Sequence, residues 1–221
     1  MNMGELVQIF HAFKIGSPGW LFMWLLLVAA VFVVALAVER TYFIGIRSNM
    51  NADKFMKDIR QMVSKGQYKE AVQVCEKLKD KALPYVIGTG LRVLDSEGEV
   101  DFRTVQNAVD EGTLEIIPKL QQRTGWLATL GNVATLLGLM GTIYGLILAF
   151  SSVSAPGVDA AEKSRLLAAG ISTAMNTTLV GLSIAIPAVL VYTYIHNKTM
   201  GIIDEIDEHT VKLINLITGN K

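Results

Sequence analysis

The sequence predicts an all-α membrane protein, with three transmembrane helices and long cytoplasmic helical extensions. Its composition is apolar: of 221 residues, 51% are hydrophobic and only 18% are charged. The charge is also unevenly spread, because residues 15–38, 124–158 and 166–195 contain no Asp, Glu, Lys, Arg or His. Each run exceeds the roughly 20 apolar residues that carry a helix across a ~30 Å hydrocarbon core. A soluble chain of this size has no interior in which to hide three such segments.

Several classes of function are excluded at this level. Net charge is zero and no basic stretch is interleaved with aromatics, so no nucleic-acid partner is expected. The single cysteine, Cys75, rules out an intramolecular disulfide and reads as a packing residue. No cluster has metal-ligand spacing, and neither a metal nor another cofactor is expected. Nor is an enzyme: there is no His/Glu metal set, no nucleophile with an adjacent base and no Gly-rich phosphate loop followed by Lys.

Residues 1–19 place Leu6, Val7, Ile9, Phe10 and Phe13 at mostly helical spacing before Gly16-Ser17-Pro18-Gly19, which predicts an external amphipathic surface helix. The apolar run that follows is too long, and its leader too poor in positive charge, for a cleaved signal peptide. Residues 20–40 form the first transmembrane helix. Trp20 and Trp24 stand at an interfacial level, and bulky residues such as Leu25, Leu27 and Phe32 suit a lipid-facing surface. Arg40, Arg47, Lys54, Lys57, Arg60 and Lys65 follow closely, which keeps this side in the cytoplasm and the N-terminus outside. Residues 41–123 read as a cytoplasmic subdomain of several amphipathic helices, punctuated by Gly66 and Pro84. A second transmembrane helix over 124–153 carries a cytoplasmic extension. A short external loop over 154–163 leads to the third transmembrane helix over 164–196. Residues 197–221 then read as one more cytoplasmic amphipathic helix, with Ile202, Ile203, Ile206, Leu213 and Ile214 on its apolar side.

The second and third spans carry the chemistry. On the second, Gly131, Thr135, Gly138, Thr142, Gly145 and Ala149 recur every three or four residues and share a face. On the third, Gly170, Ala174, Thr177 or Thr178, Gly181, Ala185 and Ala188 do the same. Gly141 and Gly145 add a small-xxx-small pair. Such stripes either let helices approach closely or line a passage; for the glycines alone close packing is preferred. The polar residues tilt the balance, because Ser172, Thr173, Asn176, Thr177, Thr178 and Ser183 crowd into little more than three turns. An amide that cannot satisfy itself among so many hydroxyls points to a hydrated interface. Pro187 lacks a backbone donor and is expected to kink this helix. Ion-driven membrane proteins usually hold a titratable carboxylate or histidine within the membrane, and none of the three runs has one. A conducted proton would need a carboxylate from another chain.

These residues resemble a known family. LATLGNVATLLGLMGTIYGLILAF over 127–150, followed by GISTAMNTTLVGLSIAIPAVLVY over 170–192, looks like the signature of the TolQ/ExbB/MotA proton-channel family, TolQ/ExbB branch. The matching elements are the LGLMGT-x-x-G and TT-x-x-GL-x-x-AIPA-x-x-x-Y blocks, together with Glu39-Arg40 at the end of the first span. The resemblance implies a homopentameric ring in a bacterial inner membrane around two copies of a single-span ExbD/TolR-like partner. That partner carries an essential aspartate. It also implies a motor that couples the ion-motive force to work on a periplasmic or envelope component. Thr142 and Thr178 match two family threonines and would face the partner's aspartate, with Thr177, Thr173 and Asn176 beside them on the ion path. Thr173 stands where ExbB-type members commonly carry a glutamate, so no relay through that glutamate is available here. The alternative reading is a non-conducting membrane scaffold that oligomerises through its small-residue faces.

Overall fold

The computed structural model describes residues 12–14, 19–48, 50–96, 102–154 and 159–217, and among them the fold is entirely helical. The helices are α1 (Trp20–Tyr42), α2 (Ala52–Ser64), α3 (Tyr68–Lys77), α4 (Ala82–Ser96), α5 (Phe102–Gln121), α6 (Thr124–Val153) and α7 (Ala160–Ile217). A π-helical turn, Phe43–Ser48, continues α1. Among the described residues three helical stretches are long and apolar enough to cross a membrane. Contacts divide the chain into a first unit, Met1–Val38 with Gly125–Tyr192, and a second unit, Glu39–Thr124 with Thr193–Lys221.

In the first unit, α1 starts after Gly19, whose φ of +82° suits a residue without Cβ. Its carbonyl accepts from the Phe22 and Met23 amides. The helix is not lipid-facing all round, as its greasiness suggested. Met23, Leu26, Ala29 and Val33 form a buried stripe, whereas Leu25, Val28, Val31 and Phe32 stay exposed. The Trp24 indole donates to the Phe13 carbonyl at 3.2 Å and meets the Phe13 ring edge-on. Most of the surface helix expected over 1–19 lies outside the described residues.

The second unit is built like a water-soluble helical domain. Asn51 caps α2, its side-chain oxygen accepting from the Lys54 amide at 3.0 Å. Gly66 ends that helix at φ +73°, and the Gly66 and Gln67 amides donate to the Val63 and Met62 carbonyls. That is the left-handed closure for which glycine carries no Cβ penalty. Pro84 does not separate helices, because it sits in the first turn of α4, where its missing N–H costs nothing. In α4, Gly88 meets Cys75 and Gly90 meets Val109, which lets α3 and α5 pack closely on it. Ile59, Val86, Ile87, Leu91, Val109, Ile206 and Leu213 are fully buried, each worth about 1.5–3 kcal/mol in transfer from water.

Two boundaries differ from the sequence reading. The external loop was expected to reach residue 163, but α7 begins at Ala160 because the Asp159 carboxylate accepts from the Glu162 amide at 2.7 Å. Nor does the described part of the tail expected as a separate helix over 197–221, residues 197–217, form one of its own. α7 runs unbroken from Ala160 to Ile217, since the stretch after Ile195 changes polarity without supplying a breaker. Pro187 lies inside it, and the helix continues past it in both directions.

Candidate functional site

The small residues of α6 and α7 close on each other within one chain. A methyl group built on Gly141 would lie 2.5 Å from Thr177 Oγ1, and one on Gly181 would lie 2.7 Å from the Ala134 carbonyl. Gly138 faces the Thr177 carbonyl and the Thr178 and Gly181 backbones; Gly145 faces Ala174. Gly131 meets Ala185 and Ala188, and Gly170 meets Ala149. Of the two readings of these stripes, close packing describes Gly131, Gly138, Gly141, Gly145, Gly170, Ala174, Gly181 and Ala185. Without a hydrophobic drive between helices in lipid, this dispersion contact and the hydrogen bonds across it hold the pair together.

The register of the seam corrects the expected stripe on α6. The buried line is Gly131, Ala134, Gly138, Gly141, Gly145 and Ala149. Thr135 and Thr142 lie beside it rather than on it. On α7 the open choice between Thr177 and Thr178 resolves to Thr177, which is 0% exposed. Its hydroxyl donates to the Ala174 carbonyl at 2.7 Å, with Gly138 O at 3.4 Å. Thr177 therefore occupies the seam and not a face open to another chain. Ala134 and Gly19 were missed in the sequence. Ala134 could have been found one turn before Gly138; Gly19 reads in the sequence only as the end of a Gly/Pro break, and nothing there shows that it lies against the Thr173 and Thr177 methyls.

The remaining polar residues rim the seam. Thr178 is half-buried and donates across it to the Gly138 carbonyl at 3.0 Å, a bond between residues 40 apart in sequence. Thr142 donates within its own helix to Leu139 O at 2.6 Å, and Thr173 to Ala169 O at 2.9 Å. Asn176 is half-buried on the turn between Thr173 and Thr178. Ser183 and Thr135 return their protons to Leu179 O and Gly131 O. Thr142, Thr173 and Thr178 thus spend their hydroxyl protons on backbone carbonyls. What each hydroxyl can still offer is lone pairs, which accept from a water or a protonated acid, or coordinate a cation.

Known proteins place this seam in context. Residues 78–208 match the family described as the MotA/TolQ/ExbB proton channel family. Over 166 residues the chain is 32% identical to the biopolymer transport protein ExbB-like 3 of Synechocystis sp., spanning 73% of each chain. It is 27% identical over 196 residues to the biopolymer transport protein exbB1 of Vibrio cholerae, spanning 87% of this chain and 82% of that one. Its fold is similar to that in the structure of C. jejuni MotAB, with a TM-score of 0.65 at 16% identity, over 99% of this chain and 84% of that one. With more than half its length inside the family match and a relative at 32% identity over most of both chains, this chain belongs to the MotA/TolQ/ExbB proton channel family.

Proposed function

We propose that this chain is the multi-pass subunit of an ion-driven motor, and not an enzyme. In this reading five copies enclose two copies of a single-span, ExbD/TolR-like partner in a bacterial inner membrane. The positive residues after the first span set the N-terminus outside and the C-terminus in the cytoplasm. The partner's aspartate supplies the carboxylate absent from residues 124–158 and 166–195. Its passage through protonated and ionised forms drives one component against the other, and the load is a periplasmic or envelope structure.

The carrying observation is the state of the threonine hydroxyls. With their protons engaged by Leu139 O and Gly138 O, Thr142 and Thr178 are acceptors only. They can receive the O–H of a protonated carboxyl group directly. An ionised carboxylate has no proton to give, so it must either turn a hydroxyl away from its carbonyl or stay with water. A net hydrogen bond of about 0.5–1.5 kcal/mol then distinguishes the two forms. Each charge crossing ~100 mV delivers about 2.3 kcal/mol, enough to bias such a step. The scaffold alternative relied on small-residue faces free for oligomerisation, and the α6–α7 seam uses those faces up within the chain.

Thr178→Val in the reconstituted complex tests this. Assembly should persist while proton-driven output falls about two- to tenfold, the effect of one lost hydrogen bond expressed in a rate. Full output from an assembled Thr178→Val complex removes the hydroxyl from the mechanism. Replacing the proton gradient by a sodium gradient in the same vesicles identifies the coupling ion.

A further inference from the structure

We propose that Glu39, Arg40 and Arg123 form a binding site for an anionic phosphate group, supplied by the headgroup of an acidic phospholipid. Arg40 is 4% exposed, yet of its three guanidinium nitrogens only Nη2 has a partner, Glu39 Oε1 at 3.2 Å. Its Nε and Nη1 are buried with no acceptor. The guanidinium also lies over the Phe43 ring at 5.0 Å, which contributes attraction to its face but nothing to its N–H groups. Arg123 Nη1 donates to the same Glu39 oxygen at 2.9 Å. A single carboxylate oxygen is thus shared by two guanidinium groups, and one of those groups is short of acceptors. A tetrahedral phosphate replacing that carboxylate would offer several oxygens to both.

The surroundings fit the same ligand. Thr124 Oγ1, next to Arg123 in sequence, is a further buried polar atom without a partner. Arg123 itself holds φ +63°, a left-handed conformation that costs a residue bearing a Cβ and turns the backbone between α5 and α6. The preceding α1 turns π-helical at Phe43–Ser48, the kind of local insertion that often accompanies functional sites. The source follows from position. Glu39 follows directly on the first charge-free run, where phospholipid headgroups replace hydrocarbon, and its bond to Arg123 brings that guanidinium to the same level. Exposed Tyr42, three residues from Glu39, and exposed Trp126, three from Arg123, are aromatics of the kind that settle at this depth.

The test uses the full chain in its purified oligomer, stripped of lipid with detergent and then heated in the presence of defined additives. Phosphatidylglycerol should raise Tm by about 4 °C or more at saturation, and phosphatidylcholine should not. Arg123→Gln should abolish that rise. Glu39→Gln, which removes the competing carboxylate, should lower the phosphatidylglycerol concentration needed for it. Arg165→Gln, an exposed position paired with Glu162, should leave it intact. An equal rise with inorganic phosphate alone would keep the phosphate site but overturn the lipid source. A phosphatidylglycerol response that survives Arg123→Gln, or that weakens in Glu39→Gln, overturns the site.

Discussion

In the first unit the contact between α6 and α7 is made by Gly138, Gly141, Gly145, Gly170 and Gly181, which meet backbone atoms or the small side chains of Ala149, Ala174 and Thr177. In the second unit the core is made by Met56, Ile59, Ile87, Leu91, Ile206 and Leu213, all fully buried. The difference follows from the surrounding solvent. Water drives large apolar side chains together, so the second unit is stabilised by volume. Lipid tails provide no such drive, so the first unit gains from closeness, and closeness requires that side chains be absent. The same unit leaves Leu136, Ile143, Met175 and Ile186 exposed, which only a hydrocarbon environment or another apolar chain can accommodate.

This contrast predicts opposite sensitivities. Adding volume should hurt the first unit most. Gly181→Leu drives a side chain into the Ala134 carbonyl and should cost about 3 kcal/mol or more, seen as loss of the folded oligomer in detergent. Removing volume should hurt the second unit instead. Ile206→Ala, at a fully buried position, should destabilise by about 3 kcal/mol in chemical unfolding. The same isoleucine-to-alanine change at exposed Ile186 should be nearly silent in detergent. If Gly181→Leu is tolerated and Ile206→Ala is not, the seam is looser than its geometry and the contrast fails.

A smaller effect follows from Cys75. Burial pushes its thiol from 9.0 up to about 12, with Arg92 opposing and Glu76 adding to the rise. The unfolded chain releases this proton above pH 9 while the folded chain holds it, so stability declines between pH 9 and pH 12. Below pH 9 the contribution is complete. Cys75→Ala should flatten that alkaline slope, and native Cys75 should resist alkylation at neutral pH. The least effect is expected at Glu115. Lys119, and then the Tyr85 hydroxyl, hold its carboxyl below the usual range, but all three groups are exposed to solvent screening. Glu115→Gln should leave the thermal midpoint of the second unit unchanged.

Local pattern carried much of the fold. The charge-free runs located the apolar helices, and the three-to-four spacing of small residues marked the faces of α6 and α7 that meet. The register on α6 was not legible, because Gly141 and Thr142 are both small and both fit a stripe running through Gly138 and Gly145. Only the position of the partner helix separates them. The length of α7 was hidden for a related reason: a change from apolar to charged residues looks like a boundary, yet a helix ends at a cap or a breaker, not at a change of polarity. Long-range polar contacts left no mark at all. Arg123 meets Glu39 across 84 residues, and Arg60 approaches His209 across 149.

The hydroxyls on the outer sides of α6 and α7 have one more consequence. Thr135, Thr142 and Ser183 have turned their protons inward to their own helices, and Leu139, Ile143, Leu179 and Leu182 are exposed on the same two helices. A neighbour resting there finds methyl groups and spent hydroxyls, which attract without choosing a direction. Such a surface holds its neighbour near while resisting sideways travel very little, as a greased bearing does. Friction would return wherever a side chain arrived with a proton to give.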